Sequence, residues 1–346
     1  MKKVLLAVVF VLLMVTPAEA YEITAPEVPR CGAERMPEQT ASFGDALLEL
    51  IQNSISLMQP DIREAAEICV VIVFAAVLFS VFPIISERLQ TVSEITGVAA
   101  ISIVVFQHTN SMILLASDTA REIFEYGKLL CQVMTAGLAA QGYAISSSAL
   151  YIGTTVFISL LGSLISKILF PLLCFFLAFA VGNCALGDEM LKKAADAIKG
   201  FLHWLLKTLM IVFTTYLSIT GVVSGATDLA ALKSAKVVFS AAVPIVGGIL
   251  SDSSEAVLTG MSVIKNAAGI YGMLAVLAVF SGPFLRIGAH YMMLKVSTLL
   301  CGAFGNKRIS ALADYLSCAM SLLLAAVASG CLLILISTVC FLKGSC

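Results

Sequence analysis

The sequence predicts an all-α, polytopic transmembrane helical protein with seven or eight spans and one re-entrant hairpin, and three observations carry that prediction. The 346 residues are 60% hydrophobic and only 12% charged, with a mean hydropathy of +1.00. A water-soluble domain of that composition would expose aggregating apolar surface. Apolar runs recur at lengths near the ~20 residues that cross a hydrocarbon core. The chain also opens like a secreted one, with Lys2 and Lys3 ahead of an apolar stretch and the small-x-small site Ala18-Glu19-Ala20.

These features divide the chain in order. Residues 1–20 read as a cleavable signal peptide, so the mature chain is expected to begin outside, near Tyr21. The alternative is a membrane anchor, for which the apolar stretch 4–15 is short. Residues 21–60 form a polar external segment with several prolines, ending in an amphipathic stretch in which Leu47, Leu50, Ile51, Ile55 and Met58 recur at helical spacing. After Pro60, Asp61 and Glu64 resemble a helix cap and its reciprocal partner at the start of a membrane domain, 61–346.

Runs able to span are 67–85, 95–116, 149–166, 168–186, 208–223, 267–285 and 316–342, with 129–145 a weaker eighth interrupted by Gln132 and Gln141. Counting this eighth run as a span leaves fewer basic residues in outer loops, which favours both termini outside. Residues 188–207 are amphipathic, with Leu191, Ala194, Ile198, Phe201 and Leu205 on one stripe, acids at the start and lysines later, as the helix dipole prefers. They are expected to lie on the inner membrane surface, either as a docking platform or as a plain interfacial helix. Residues 237–250 contain Pro244, Gly247 and Gly248 and are too short and broken to cross, so a re-entrant hairpin is expected.

Several chemistries drop out. A formal net charge of −1 provides no basic field for nucleic acid. The ten cysteines include no Cys-x-x-Cys pair and mostly sit in apolar runs, so they read as small buried hydrophobes. His108, His203 and His290 lack carboxylates at metal-ligand spacing, and no hydrolase, protease or nucleotide-loop motif occurs, so no catalytic, cofactor or metal residue is assigned. What remains is a polar cluster inside the second span: Gln107, His108 and Asn110, with Thr109. Polar groups at that depth must face water or other helices, so they either line a path or bond neighbouring helices.

Gly221 and Gly225 form a Gly-x-x-x-Gly pair that permits close helix packing. They open a longer block: Ser224-Gly225-Ala226-Thr227-Asp228, then Lys233 and Lys236, then Val243-Pro244-Ile245-Val246-Gly247-Gly248 with Ser251-Asp252, then Lys265-Asn266. In order and spacing this block resembles the most characteristic stretch of the stage III sporulation protein AE family of endospore-forming bacteria. The resemblance implies a non-enzymatic membrane component of a transenvelope channel or secretion complex between mother cell and forespore. It implies a location in the mother-cell membrane surrounding the forespore and partners that include a separate cytoplasmic ATPase, small membrane subunits and ring-forming intermembrane-space proteins, besides membrane lipid. Under it, Asp228, Lys233, Lys236, Pro244, Gly247, Gly248, Asp252, Lys265 and Asn266 mark a channel or interface hairpin. The rival from the residues themselves is a self-sufficient secondary transporter whose midplane substrate site would combine Gln107, His108 and Asn110 with the hairpin.

Overall fold

Two apolar runs in the sequence often turn out to share one helix. The computed structural model describes residues 26–37, 43–81, 87–242 and 247–343; the side chains of 81–91, 93, 94, 220–262 and 264 fall outside that description. Among the described residues regular structure is entirely helical. A short turn, α1 (Arg30–Ala33), is followed by α2 (Phe43–Ser56), α3 (Gln59–Val81), α4 (Glu87–Ala140) and α5 (Ala144–Leu164). A π-helical turn, Ile165–Leu169, joins α5 directly to α6 (Phe170–Leu186), and α7 (Glu189–Ala242), α8 (Gly247–Ala303) and α9 (Lys307–Lys343) complete the chain.

Five of these stretches are long and apolar enough to cross a membrane by length and composition: Ile95–Ala140, Ala144–Leu186, Glu189–Ile219, Lys265–Ala303 and Lys307–Lys343. The runs 95–116 and 129–145, read as separate spans, lie end to end along α4 and the turn after it. The runs 149–166 and 168–186 lie along one helical stretch of 43 residues. At 1.5 Å per residue that stretch is ~64 Å long, about twice a hydrocarbon core. The physical reason is local. The charged interval of α4 carries an Arg121–Glu125 pair at i,i+4, 2.9 Å apart, which supports a solvated helix as well as any loop. Lys167 sits in the π turn rather than in a break.

The amphipathic segment 188–207 is likewise the first part of a longer helix. Gly187, at φ +74°, ends α6, and the carboxylate of Asp188 accepts from the Met190 N–H at 2.8 Å to open α7. The buried stripe is Ala195, Leu202, Leu206 and Leu209, which carries on to Phe213 and Leu217. Phe201, expected on the inner stripe, is exposed. The lysines Lys192, Lys193 and Lys207 do face outward, as the amphipathic reading expected.

The helices reverse at tight turns. Gly305, at φ +79°, supplies the left-handed residue between α8 and α9, a conformation costly for any side chain with a Cβ. α9 is the hub and packs on α4, α5, α6, α7 and α8, while α3 packs on α8 and α4. One continuous apolar core, including Phe176, Phe213, Ile158, Leu130, Leu323 and Phe341, runs the length of the bundle. Small residues set its tightest contacts: a Cβ on Gly153 would overlap the ring of Tyr216, whose hydroxyl donates to the Ala149 carbonyl at 3.0 Å. Inside the core, the hydroxyls of Thr154 and Ser337 bond at 2.7 Å, so a buried polar pair is satisfied. The nine described cysteines are all free thiols, and most are buried as small hydrophobes.

Candidate functional site

Two polar sites interrupt this apolar bundle, and both lie on α8. The first is the root of the Gly221–Gly272 block. Its arms are the last part of α7 and the first part of α8, helical up to Ala242 and again from Gly247. Gly221, Gly225, Asp228, Lys233 and Lys236 therefore lie on helical backbone in α7, and Gly247, Gly248 and Asp252 on helical backbone in α8. Pro244 lies outside the described residues, as do the side chains of this whole group. Where expectation placed broken backbone across 237–250, the helices reach to within a few residues of Pro244 on either side.

Along α7, Phe213 packs on Phe157 and Tyr216 reaches Ala149, so that helix runs toward the end of the bundle where α5 begins. α8 returns from the same end, since Lys265 sits beside Gln141 and Leu342. The block is thus an antiparallel pair of helical arms rooted at that end.

Lys265 is fully buried, at 0% exposure. Its ammonium donates to Gln141 Oε1 at 3.3 Å and to the Leu342 carbonyl at 3.4 Å. Gln141 follows the C-terminus of α4, and Leu342 lies in the last turn of α9. Two helix C-termini, where carbonyls lack intrahelical partners and the macrodipole is negative, converge on one cation. Close approach makes this possible. Gly137 sits against the Lys265 side chain, Gly269 against Leu342 and Met134, and Gly272 against Leu130, with the ideal Cβ of Gly272 falling only 2.4 Å from a Leu130 methyl. The next residue, Asn266, is exposed.

The second site lies near the start of α3. Glu64 bridges two helices: Arg286 Nη2 of α8 donates to Glu64 Oε2 at 2.9 Å, and His108 Nδ1 of α4 lies 3.5 Å from Glu64 Oε1. Asp61 Oδ1 is 3.5 Å from Arg286 Nε. These two carboxylates, expected to cap a helix, sit in the first turns of α3 and turn to a partner on α8 instead.

The expected cluster of Gln107, His108 and Asn110 is divided by this arrangement. His108 turns toward α3, Gln107 and Asn110 are exposed, and the buried Thr109 hydroxyl donates to the Val105 carbonyl at 3.0 Å within its own helix. Sequence reasoning missed Arg286 altogether. The one available signal was its position at the edge of an apolar run, in a chain with few charges.

A family model described as Stage III sporulation protein AE matches residues 37–344. The chain belongs to the stage III sporulation protein AE family. A curated relative, Stage III sporulation protein AE of Bacillus subtilis (strain 168), is 20% identical over 261 residues, covering 73% of this chain and 65% of the relative. The chain thus spans a little under two thirds of that relative's length. No solved structure matches. The family match includes the block that carried the resemblance, with Lys265 and its partners Gln141 and Leu342, and both carboxylates of the second site.

Proposed function

We propose that this protein is a non-enzymatic integral membrane subunit of a sporulation channel or secretion complex spanning the envelope between mother cell and forespore. The single observation that carries the reading is the helical hairpin block, whose arms are anchored by a fully buried lysine in a chain otherwise sparing with charge. A buried cation held by helix termini is costly in desolvation. It fixes the orientation of the arms, which suits a part that presents a surface to neighbours or to a passage.

In this reading the chain is delivered by a signal peptide to the mother-cell membrane around the forespore. The hairpin tip, with Pro244, Gly247 and Gly248, is re-entrant or sits at a subunit interface, flanked by Asp228, Lys233, Lys236 and Asp252. Energy comes from a separate cytoplasmic ATPase, and the small membrane subunits and ring-forming proteins of the complex are the remaining partners. The exposed lysines of α7 face the cytoplasmic side. Seven or eight crossings require α4 and the α5–α6 stretch to bend back near Arg121 and Lys167, whereas continuous helices cross once each. Side-specific labelling of cysteines introduced at Gln132 and Ser159 distinguishes the two arrangements.

Co-purification from sporulating cells tests the main reading. Recovery with the other stage III membrane proteins is expected. A lone monomer that moves a solute across liposomes would reject it in favour of the secondary transporter. The Glu64–His108–Arg286 cluster is the observation that favours that rival, because ionisable groups within apolar helices commonly mark substrate or proton paths.

A further inference from the structure

The chain before α2 is tied to the bundle at a point that neither polar site uses. The α1 turn lies on α8, with Gly32 so close to it that an added Cβ would stand 2.9 Å from the Val279 backbone nitrogen. The Cys31 thiol donates to the Glu122 carboxylate of α4. Arg35 donates to the Cys31 carbonyl at 2.8 Å and lays its guanidinium over Gly282 of α8. Val28, Cys31 and Met36 add apolar contact with the core. The segment thus bridges α4 and α8 from outside. Residues 26–36 also precede the part of the chain that the family model matches.

The attachment is shape-specific and lightly held. Its closest contact is backbone on backbone, so it admits only glycine at residue 32. Its polar contacts are a thiol bonded to a carboxylate and a guanidinium whose buried Nε has no hydrogen-bond partner among the described residues. A weak thiol donor gains little, and an unsatisfied buried donor offsets part of the apolar gain. Elements with so few anchors open at lower free energy than the core beneath them.

We infer that residues 26–37 form a releasable latch across the α4–α8 seam, which undocks as a unit, uncovering Glu122, while the bundle stays folded. A protein arriving on the side of the N-terminus would then have a local element to grasp. The latch goes beyond the channel-subunit reading and does not depend on it.

The docked thiol should be slow to react, since burial first and Glu122 second push its pKa up to about 12. The test is maleimide labelling of full-length protein in native membranes, read peptide by peptide, with rates in SDS as the fully open reference. Cys31 should label at least about tenfold more slowly than in SDS, the protection expected of a docked segment. Gly32→Val should bring Cys31 to within about twofold of its SDS rate, because the clash is with backbone that cannot give way. Cys131, buried in α4, should stay protected in that variant. Gly282→Ala should leave Cys31 protected, because its new methyl meets only the movable end of Arg35.

Equal rates for Cys31 in native membranes and in SDS would show that the segment is not docked. Continued protection of Cys31 in Gly32→Val would show that the glycine fit does not hold it. Joint exposure of Cys31 and Cys131 in that variant would show that the segment cannot part from the bundle. Each of these results overturns the latch.

Discussion

Lys265 and Arg286 are two cations on one helix, and the bundle satisfies them in opposite ways. Lys265 is sealed from solvent and meets neutral oxygens, a side-chain amide and a backbone carbonyl at two helix C-termini. Arg286 keeps a third of its side chain exposed (33%) and meets two carboxylates, one of which also reaches His108. The first depends on backbone geometry, because the partial charges belong to the ends of α4 and α9 and move only if those helices move. The second depends on side chains that can re-pair or reach water. The contrast separates a fixed anchor from an adjustable junction, at the two ends of a single rigid element.

Reversing the charge at the anchor tests the contrast most severely. Lys265→Glu aims a carboxylate at the Leu342 carbonyl and the negative ends of two helices, which should cost more than about 4 kcal/mol. No folded protein should then accumulate in membranes, as read by immunoblot of the membrane fraction. Lys265→Met, similar in volume and uncharged, should be tolerated to within roughly 1 kcal/mol. If Met proves as damaging as Glu, the attraction to helix ends is not what places this residue.

At the junction, Arg286→Leu leaves Asp61 and Glu64 facing each other without their cation. With all three groups partly solvated, the expected loss is about 1–2 kcal/mol rather than the larger cost of stranding a fully buried charge. Thermal unfolding in detergent should show it as a modest drop in Tm, and Arg286→Lys should recover part of it. A loss as large as that of Lys265→Glu would mean that the two sites are alike after all.

A smaller structural effect is expected at the hairpin tip. Gly247→Val together with Gly248→Val should leave membrane insertion and Tm nearly unchanged, since the apolar helices carry insertion by themselves. Spore formation should nonetheless fall. A double variant that sporulates normally would remove the tip from the proposed mechanism. Smallest of all is His108→Leu, which deletes a 3.5 Å contact at a half-exposed position and should change stability by under about 0.5 kcal/mol. A sporulation defect in this stable protein would give the junction a role in passage and strengthen the transporter rival.

Much of the architecture is legible without coordinates, because apolar composition and run length report directly on helices that avoid water. Connectivity between runs is less so. Asp118, Arg121, Glu125 and Lys128 read equally well as a loop or as a solvated face of a helix, and hydropathy cannot separate the two; the i,i+4 pairing of Arg121 with Glu125 is the local cue for the helix. The expected inner stripe of 188–207 was displaced to Ala195, Leu202 and Leu206 because the helix goes on, and its buried face is set by the longer apolar stretch to which it belongs.

At the sites, the sequence block names Lys265, but nothing local says that Gln141 and Leu342 would meet it. His108 is visible as a misfit in an apolar run, while its partner Glu64 passes for a helix cap. Contacts between distant segments leave no periodic trace in either partner.

The π turn at Ile165–Leu169 has a consequence for how this chain can change. Buried Leu161, Ile165, Leu169 and Leu173 follow one another every four residues, a wider step than the 3.6 of an α-helix. The i→i+5 hydrogen bonds of the π turn absorb that excess, so one inward stripe passes from α5 into α6 without winding onto the outer surface. The turn acts as a phase correction between two halves that would otherwise fall out of step. Removing a single residue there, Ile168 for example, would leave an unbroken α-helix but rotate everything beyond it by roughly 100°, carrying Phe176 and Cys184 away from the core. The segment that looks most expendable, one surplus residue in a long apolar helix, is the one whose loss the helix can least accommodate.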